Sequence, residues 1–129
     1  VNVDLVGREP QLHYSALRAG DFDVGDGAWR ADFNDARAFL FLLESRTGAL
    51  NCAGYANPAF DQLLVQSDLS ADPAARTQLM LQAEQVMLDD APICTCVFLR
   101  ARNLVAPQLA GFADNAADVH LARWFTPRR

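Results

Sequence analysis

The sequence predicts an α/β chain: a mixed, three-layer-like sheet with flanking helices, containing at least one βαβ unit. Three observations carry this expectation. Strand-like segments stand at Val1–Val6, Phe22–Trp29 and Ile93–Leu99. Segments with helical spacing of apolar residues lie between them. Each of the three clearest helices opens with a polar residue followed by proline, at Glu9-Pro10, Asn57-Pro58 and Asp72-Pro73.

The elements follow in order. Val1, Val3 and Leu5 alternate with Asn2 and Asp4, the period-2 pattern of a half-buried strand. A helix then starts at Pro10, with Leu12, Ala16 and Leu17 on its inner face, and Gly20 where a left-handed C-terminal residue belongs. Phe22–Trp29 reads as a second strand, and Gly25 and Gly27 inside it point to a close neighbour. Two strands joined by a helix make a βαβ unit, most simply parallel and right-handed. Asn34 or Asp35 caps the next helix, on which Phe39, Leu42 and Leu43 follow i, i+3, i+4 spacing.

Gly48–Ala56 is a loop. Helices from Pro58, carrying Phe60, Leu63 and Leu64 inward, and from Pro73 to Asp90, carrying Leu79, Ala83, Val86 and Met87, come next. Asp90-Ala91-Pro92 ends the long helix, because a residue before proline avoids helical backbone angles. Ile93–Leu99 is a continuous apolar run, a buried strand extending toward Val105. After Pro107 the pattern weakens through Gly111, Asn115 and Ala116-Ala117 to Trp124-Phe125.

Composition excludes some classes. The chain has 129 residues, 51% apolar and 21% charged, with a formal net charge of −5. Its eleven basic residues are all arginine and are scattered, so no electrostatic footprint for nucleic acid exists. No apolar run approaches the roughly 20 residues of a membrane-spanning helix. Three cysteines, Cys52, Cys94 and Cys96, do not make a disulfide framework.

No Gly-x-Ser-x-Gly elbow, phosphate-cradling loop or His-Glu-x-x-His pattern is present, so nothing argues for an enzyme or a cofactor. On a strand, Cys94 and Cys96 would face one side and could share a metal ion. With His13 and His120 distant in sequence, buried small hydrophobes are the plainer reading, and no metal site is assigned. Asp89 and Asp90 end a helix where its dipole disfavours carboxylates, a position that solvation tolerates.

The landmarks, taken in order, resemble the peptide-type solute-binding proteins of ABC transporters, the oligopeptide- and dipeptide-binding proteins. They are Asn2-Val3-Asp4-Leu5-Val6, the run Arg18-Ala19-Gly20-Asp21-Phe22-Asp23-Val24, and Trp29-Arg30-Ala31-Asp32-Phe33-Asn34-Asp35 leading to Phe39-Leu40. Tyr55-Ala56-Asn57-Pro58-Ala59-Phe60-Asp61-Gln62-Leu63 follows, then Arg76, Leu79 and Ala83-Glu84, Asp90-Ala91-Pro92, and Arg102-Asn103-Leu104-Val105. Ala36 departs from the proline that the family often carries there.

The resemblance implies the C-terminal stretch of a two-lobed protein. Residues 1–106 would be most of one lobe, and 107–129 a tail returning toward the other, packing poorly without it. It also implies periplasmic or lipid-anchored location, a peptide-like solute between the lobes and an ABC permease as partner, with no direct membrane span. By position, Asp32 matches the aspartate that pairs with the ligand's α-amino group, against a bland reading as a helix cap. Trp29 covers the ligand or anchors the core; Phe33 and Asn34 flank the same turn. Tyr55 and Asn57-Pro58 shape the loop beside the cleft. Non-peptide cargo (a metal complex, a sugar or an opine) and a protein-interaction module without cargo are the alternatives.

Overall fold

A helical hairpin holds the centre of the structure, a computed structural model that describes residues 2–115 and 117–127. Its arms are α3 (Pro58–Leu69) and α4 (Pro73–Asp90), joined by three residues. Before them come α1 (Pro10–Ala19) and the single-turn α2 (Arg37–Leu40), which tightens into 3₁₀ turns at Phe41–Leu43 and Ser45–Leu50. A two-stranded antiparallel ladder, β1 (Leu109–Ala110) with β2 (Thr126–Pro127), closes the tail, pairing Leu109 with Pro127 and Ala110 with Thr126.

The three cap-then-proline starts form as expected. The Glu9 carboxylate accepts from the amides of Gln11 and Leu12, Asn57 Oδ1 from Ala59 and Phe60, and Asp72 from Ala74 and Ala75. Each cap satisfies amides that the first helical turn leaves without partners. Gly20 ends α1 at φ 70°, in the left-handed region. Ala91 ends α4 in the same region at φ 49°.

The core lies between α2, the following 3₁₀ turn and the hairpin: Leu40, Leu43, Phe60, Leu64, Met80, Ala83 and Met87, with Tyr55, Leu63 and Val86 packed against it. Several expected core positions shift by one residue. Met80, Ala83 and Met87 form the buried stripe of α4, whereas Leu79 is half-buried. Leu40 replaces Phe39, which is exposed, because one α-helical turn running into a 3₁₀ turn breaks the 3.6-residue spacing. On α1 Leu17 is buried and Leu12 is exposed.

The three predicted strands are corrected by the structure. Among the described residues 2–6, 22–29 and 93–105 carry no ladder, and the parallel βαβ pairing does not form; Val1 lies outside the described residues. These segments are exposed, Leu5 at 98% and Phe98 at 91%, so the buried strand expected at Ile93–Leu99 is not buried here. A strand satisfies its amides and carbonyls only through a neighbouring strand, and these runs have none within the described chain. Cys94 and Cys96 are accordingly exposed, not core hydrophobes, with the Cys96 thiol 3.5 Å from the Cys94 carbonyl.

Segment 22–29 is nevertheless held in place. His13 Nε2 donates to the Asp26 carbonyl at 2.7 Å, and Arg8 pairs with Asp21 at 3.2 Å. Gly25 sits so close to Leu17 that a Cβ there would meet Leu17 Cδ2 at 2.4 Å, the close neighbour that its glycine implied. The tail beyond Pro107, apart from Ala116, Arg128 and Arg129, which lie outside the described residues, folds onto itself. Phe112 stacks on His120 at 4.5 Å, and Asp118 accepts from Asn103 at 2.8 Å and His120 at 3.0 Å.

Candidate functional site

The turn between Trp29 and α2 is anchored at both ends and open in the middle. At the upstream end the Trp29 indole N–H donates to the Ala38 carbonyl at 2.9 Å, and its ring meets Phe41 edge-on at 5.8 Å. Trp29 remains 39% exposed despite these two contacts. Asp32, Phe33 and Asn34 are exposed.

At the downstream end Asp35 does the work that the sequence left open between several residues. Its Oδ1 accepts the Arg37 amide at 2.8 Å, and its carboxylate takes a two-pronged bond from Arg76, at 2.6 and 3.0 Å. Neither Asn34 nor Asp32 supplies a cap to α2. Among the described residues the Asp32 carboxylate accepts no hydrogen bond, so its reading as a helix cap is withdrawn. The side-chain bond to Arg76 holds the Asp35 carboxyl below its usual range against the opposing effect of burial.

One residue further on, Arg37 joins α2 to the hairpin. It donates through Nε and Nη2 to both oxygens of Asp68 at 3.0 Å, and through Nη2 to the buried Glu44 at 2.9 Å. Arg46 reaches the other Glu44 oxygen at 3.0 Å. Burial works to lower the Arg37 pKa, but its bonds to the Asp68 and Glu44 carboxylates prevail and raise it. The Asp68 carboxyl is held low, chiefly by the Arg37 bond.

Arg30, mostly exposed, comes within 3.8 Å of Asp118, which links the tail to the start of the turn. Tyr55 and Asn57 meet at the far end of the hairpin, where both donate to Asp90, and Asn51 bonds the Tyr55 amide and carbonyl.

The geometry thus brings Trp29, Asp32, Phe33 and Asn34 onto one exposed turn, with Tyr55 set apart as a packing residue. Sequence reasoning missed Arg37, Glu44, Arg46 and Asp68. Arg37 and Glu44 stand seven apart, but Glu44 lies past the 3₁₀ turn on extended backbone, so helical periodicity does not account for their meeting. Asp68 carried no signal in the sequence. Two shallow hollows, one along α1 between Arg8 and Asp21 and one on α3 at Ala59, Gln62, Leu63 and Gln66, are not lined by this turn.

No family model matches the chain. Relatives do. The periplasmic oligopeptide-binding protein OppA of Escherichia coli is 34% identical over 112 residues, 87% of this chain and 20% of that protein. The periplasmic murein peptide-binding protein MppA of the same organism is 32% identical over 124 residues, 95% of this chain and 23% of that one. In structure, Haemophilus influenzae OppA in complex with RPPGFSPFR superposes on 99% of this chain and 25% of its own, with TM-score 0.88 and 27% identity. The chain is homologous to a portion of the oligopeptide-binding proteins.

It spans about a fifth of the length of these curated relatives. The α/β class expected from the sequence agrees with these solute-binding relatives. Among the described residues no helix is long and apolar enough to cross a membrane.

Proposed function

We propose that this chain is the C-terminal-lobe part, residues 1–106 with a returning tail at 107–129, of a periplasmic substrate-binding protein. The whole protein binds peptides between two lobes and delivers them to an ABC permease of the inner membrane. Binding and lobe closure are the entire task, with no covalent chemistry and no cofactor. The names of the relatives, oligopeptide- and murein-peptide-binding, support the cargo class.

One observation carries the site: Asp32 stands exposed on a turn fixed at both ends, while the neighbouring carboxylate, Asp35, is already committed to Arg76. An ammonium leaving water needs a carboxylate partner, and Asp32 is free to be one for a peptide's α-amino group. The exposed part of Trp29 offers a surface for the ligand backbone, with Phe33 and Asn34 beside it. Main-chain hydrogen bonds would supply most of the affinity, as in strand addition.

The test is calorimetry on the two-lobed protein with peptides of two to five residues, free or acetylated at the N-terminus. Binding that requires the free amine, and that Asp32→Asn weakens by about tenfold or more for free-amine peptides only, supports the reading. Equal loss for free and acetylated peptides removes Asp32 from recognition of the α-amino group. No binding anywhere in the panel redirects the search to non-peptide cargo.

A further inference from the structure

We infer that Arg76 is a positioning residue for the turn that carries Asp32, acting through Asp35. Its effect on ligand choice rests on the peptide-binding reading above, whereas its effect on the turn does not.

Between its two anchors the turn makes few contacts of its own. Asp32, Phe33 and Asn34 are exposed, and within it the Asp35 amide donates to the Phe33 carbonyl at 2.9 Å. The Trp29 anchor reaches only Ala38 on α2, its own neighbour in sequence, and α2 is held in turn to α3 by the Arg37–Asp68 fork and by buried Leu40, so that route to the hairpin is indirect. The bond from Arg76 to Asp35 spans 41 positions and fastens the turn directly to α4. Arg76 lies four residues before Met80, one helical turn from the buried stripe of α4. The fork of two parallel N–H···O bonds sets an angle as well as a distance, which a single ammonium cannot.

The pair also sorts the charges. Arg76 occupies the Asp35 carboxylate, leaving Asp32 as the uncommitted anion of the turn. Breaking the pair from either side leaves charges of opposite sign beside Asp32. Arg76→Gln exposes an extra carboxylate, and Asp35→Asn exposes an extra guanidinium. If the pair acted only through its charge, the two substitutions would move affinity for an ammonium in opposite directions. If it positions Asp32, both weaken binding.

The first arm uses this 129-residue chain without ligand. Hydrogen exchange at the Asp35 and Ala38 amides should accelerate by about tenfold or more in Arg76→Gln, with only partial recovery in Arg76→Lys and unchanged protection at Phe60 and Leu64. Unchanged exchange at Asp35 and Ala38 overturns the inference. So does equal acceleration throughout the hairpin, which marks a merely global contribution.

The second arm uses the two-lobed protein. Arg76→Gln and Asp35→Asn should each reduce the preference for free over acetylated peptides by about tenfold or more. Opposite shifts, or equal losses on both peptides, overturn it. If the unmodified protein shows no preference for a free amine, the reading of Asp32 has failed, and the exchange arm still decides whether Arg76 positions the turn.

Discussion

Tyr55 and Asp90 meet across 35 positions of chain, the phenol donating to Asp90 Oδ2 at 2.7 Å. The Asn57 amide donates to the same oxygen at 2.6 Å while its own Oδ1 caps α3. One side chain therefore starts one helix and secures the end of the next. Asp90 stands where the α4 dipole disfavours a carboxylate, and these two donors, not solvation alone, offset that cost.

The Tyr55 phenol should consequently titrate late. Burial first, then its bond to the Asp90 carboxylate, pushes its pKa from 10.0 up to about 12. Because the folded value exceeds the unfolded one, this group's contribution to stability is fully present below pH 10.0 and is lost as pH rises toward about 12. Alkaline titration of tyrosinate absorbance should show a late component that Tyr55→Phe removes. A titration whose late component survives that substitution contradicts the assignment.

The acid limb is set by carboxylates that accept bonds from arginine, tyrosine and asparagine donors. Asp35, Asp68 and Asp90 all have lowered pKa values, by bonds to Arg76, to Arg37 and to Tyr55 with Asn57 respectively. Folded values below the unfolded 3.8 mean that their stabilisation is present above pH 3.8 and lost as pH falls below it. Asp68→Asn should flatten the stability-versus-pH curve below pH 3.8, measured by urea unfolding at a series of pH values. Arg37→Gln leaves Glu44 buried with Arg46 alone, and should cost toward the lower end of about 3–5 kcal/mol at neutral pH. A loss within about 0.5 kcal/mol, typical of a surface site, would contradict this.

Helix starts were legible in the sequence because capping is local: a carboxylate or amide oxygen two or three residues before the amides it accepts, with proline fixing the first turn. The strands were legible only as extended, apolar backbone. Pairing depends on a partner, and residues 2–6, 22–29 and 93–105 have none within the described chain. At the turn, residue types alone could not divide roles among Asp32, Asn34 and Asp35. What divides them is Arg76, far along the chain, and only folding brings it there.

The hairpin core offers a one-residue contrast. Met80 is buried at 6% exposure beside Phe60 and Leu64, while Leu79 lies at the margin. Met80→Ala should cost about 2–5 kcal/mol through lost burial and a residual cavity, and Met80→Leu less than about 1.5. Leu79→Ala should cost clearly less than Met80→Ala. Urea unfolding of the three variants decides it, and a larger loss at Leu79 would restore the spacing first read from the sequence.

Gly111 and Gly20 separate two reasons for glycine. Both have positive φ, 91° and 70°. A Cβ on Gly20 meets nothing within 4 Å, so Gly20→Ala should cost only the left-handed strain, about 1 kcal/mol or slightly more. A Cβ on Gly111 would lie 1.8 Å from the Trp124 carbonyl oxygen, which is backbone and cannot swing aside. Trp124 directly precedes the Phe125-Thr126 step into β2, so Gly111→Ala should part β1 from β2. Exchange at the tail amides should then accelerate sharply while the Phe60 and Leu64 amides of the hairpin keep their protection, since among the described residues the core contains none of the tail. Protection of the Ala110–Thr126 pairing retained in Gly111→Ala would show that the tail can rearrange around the added methyl group.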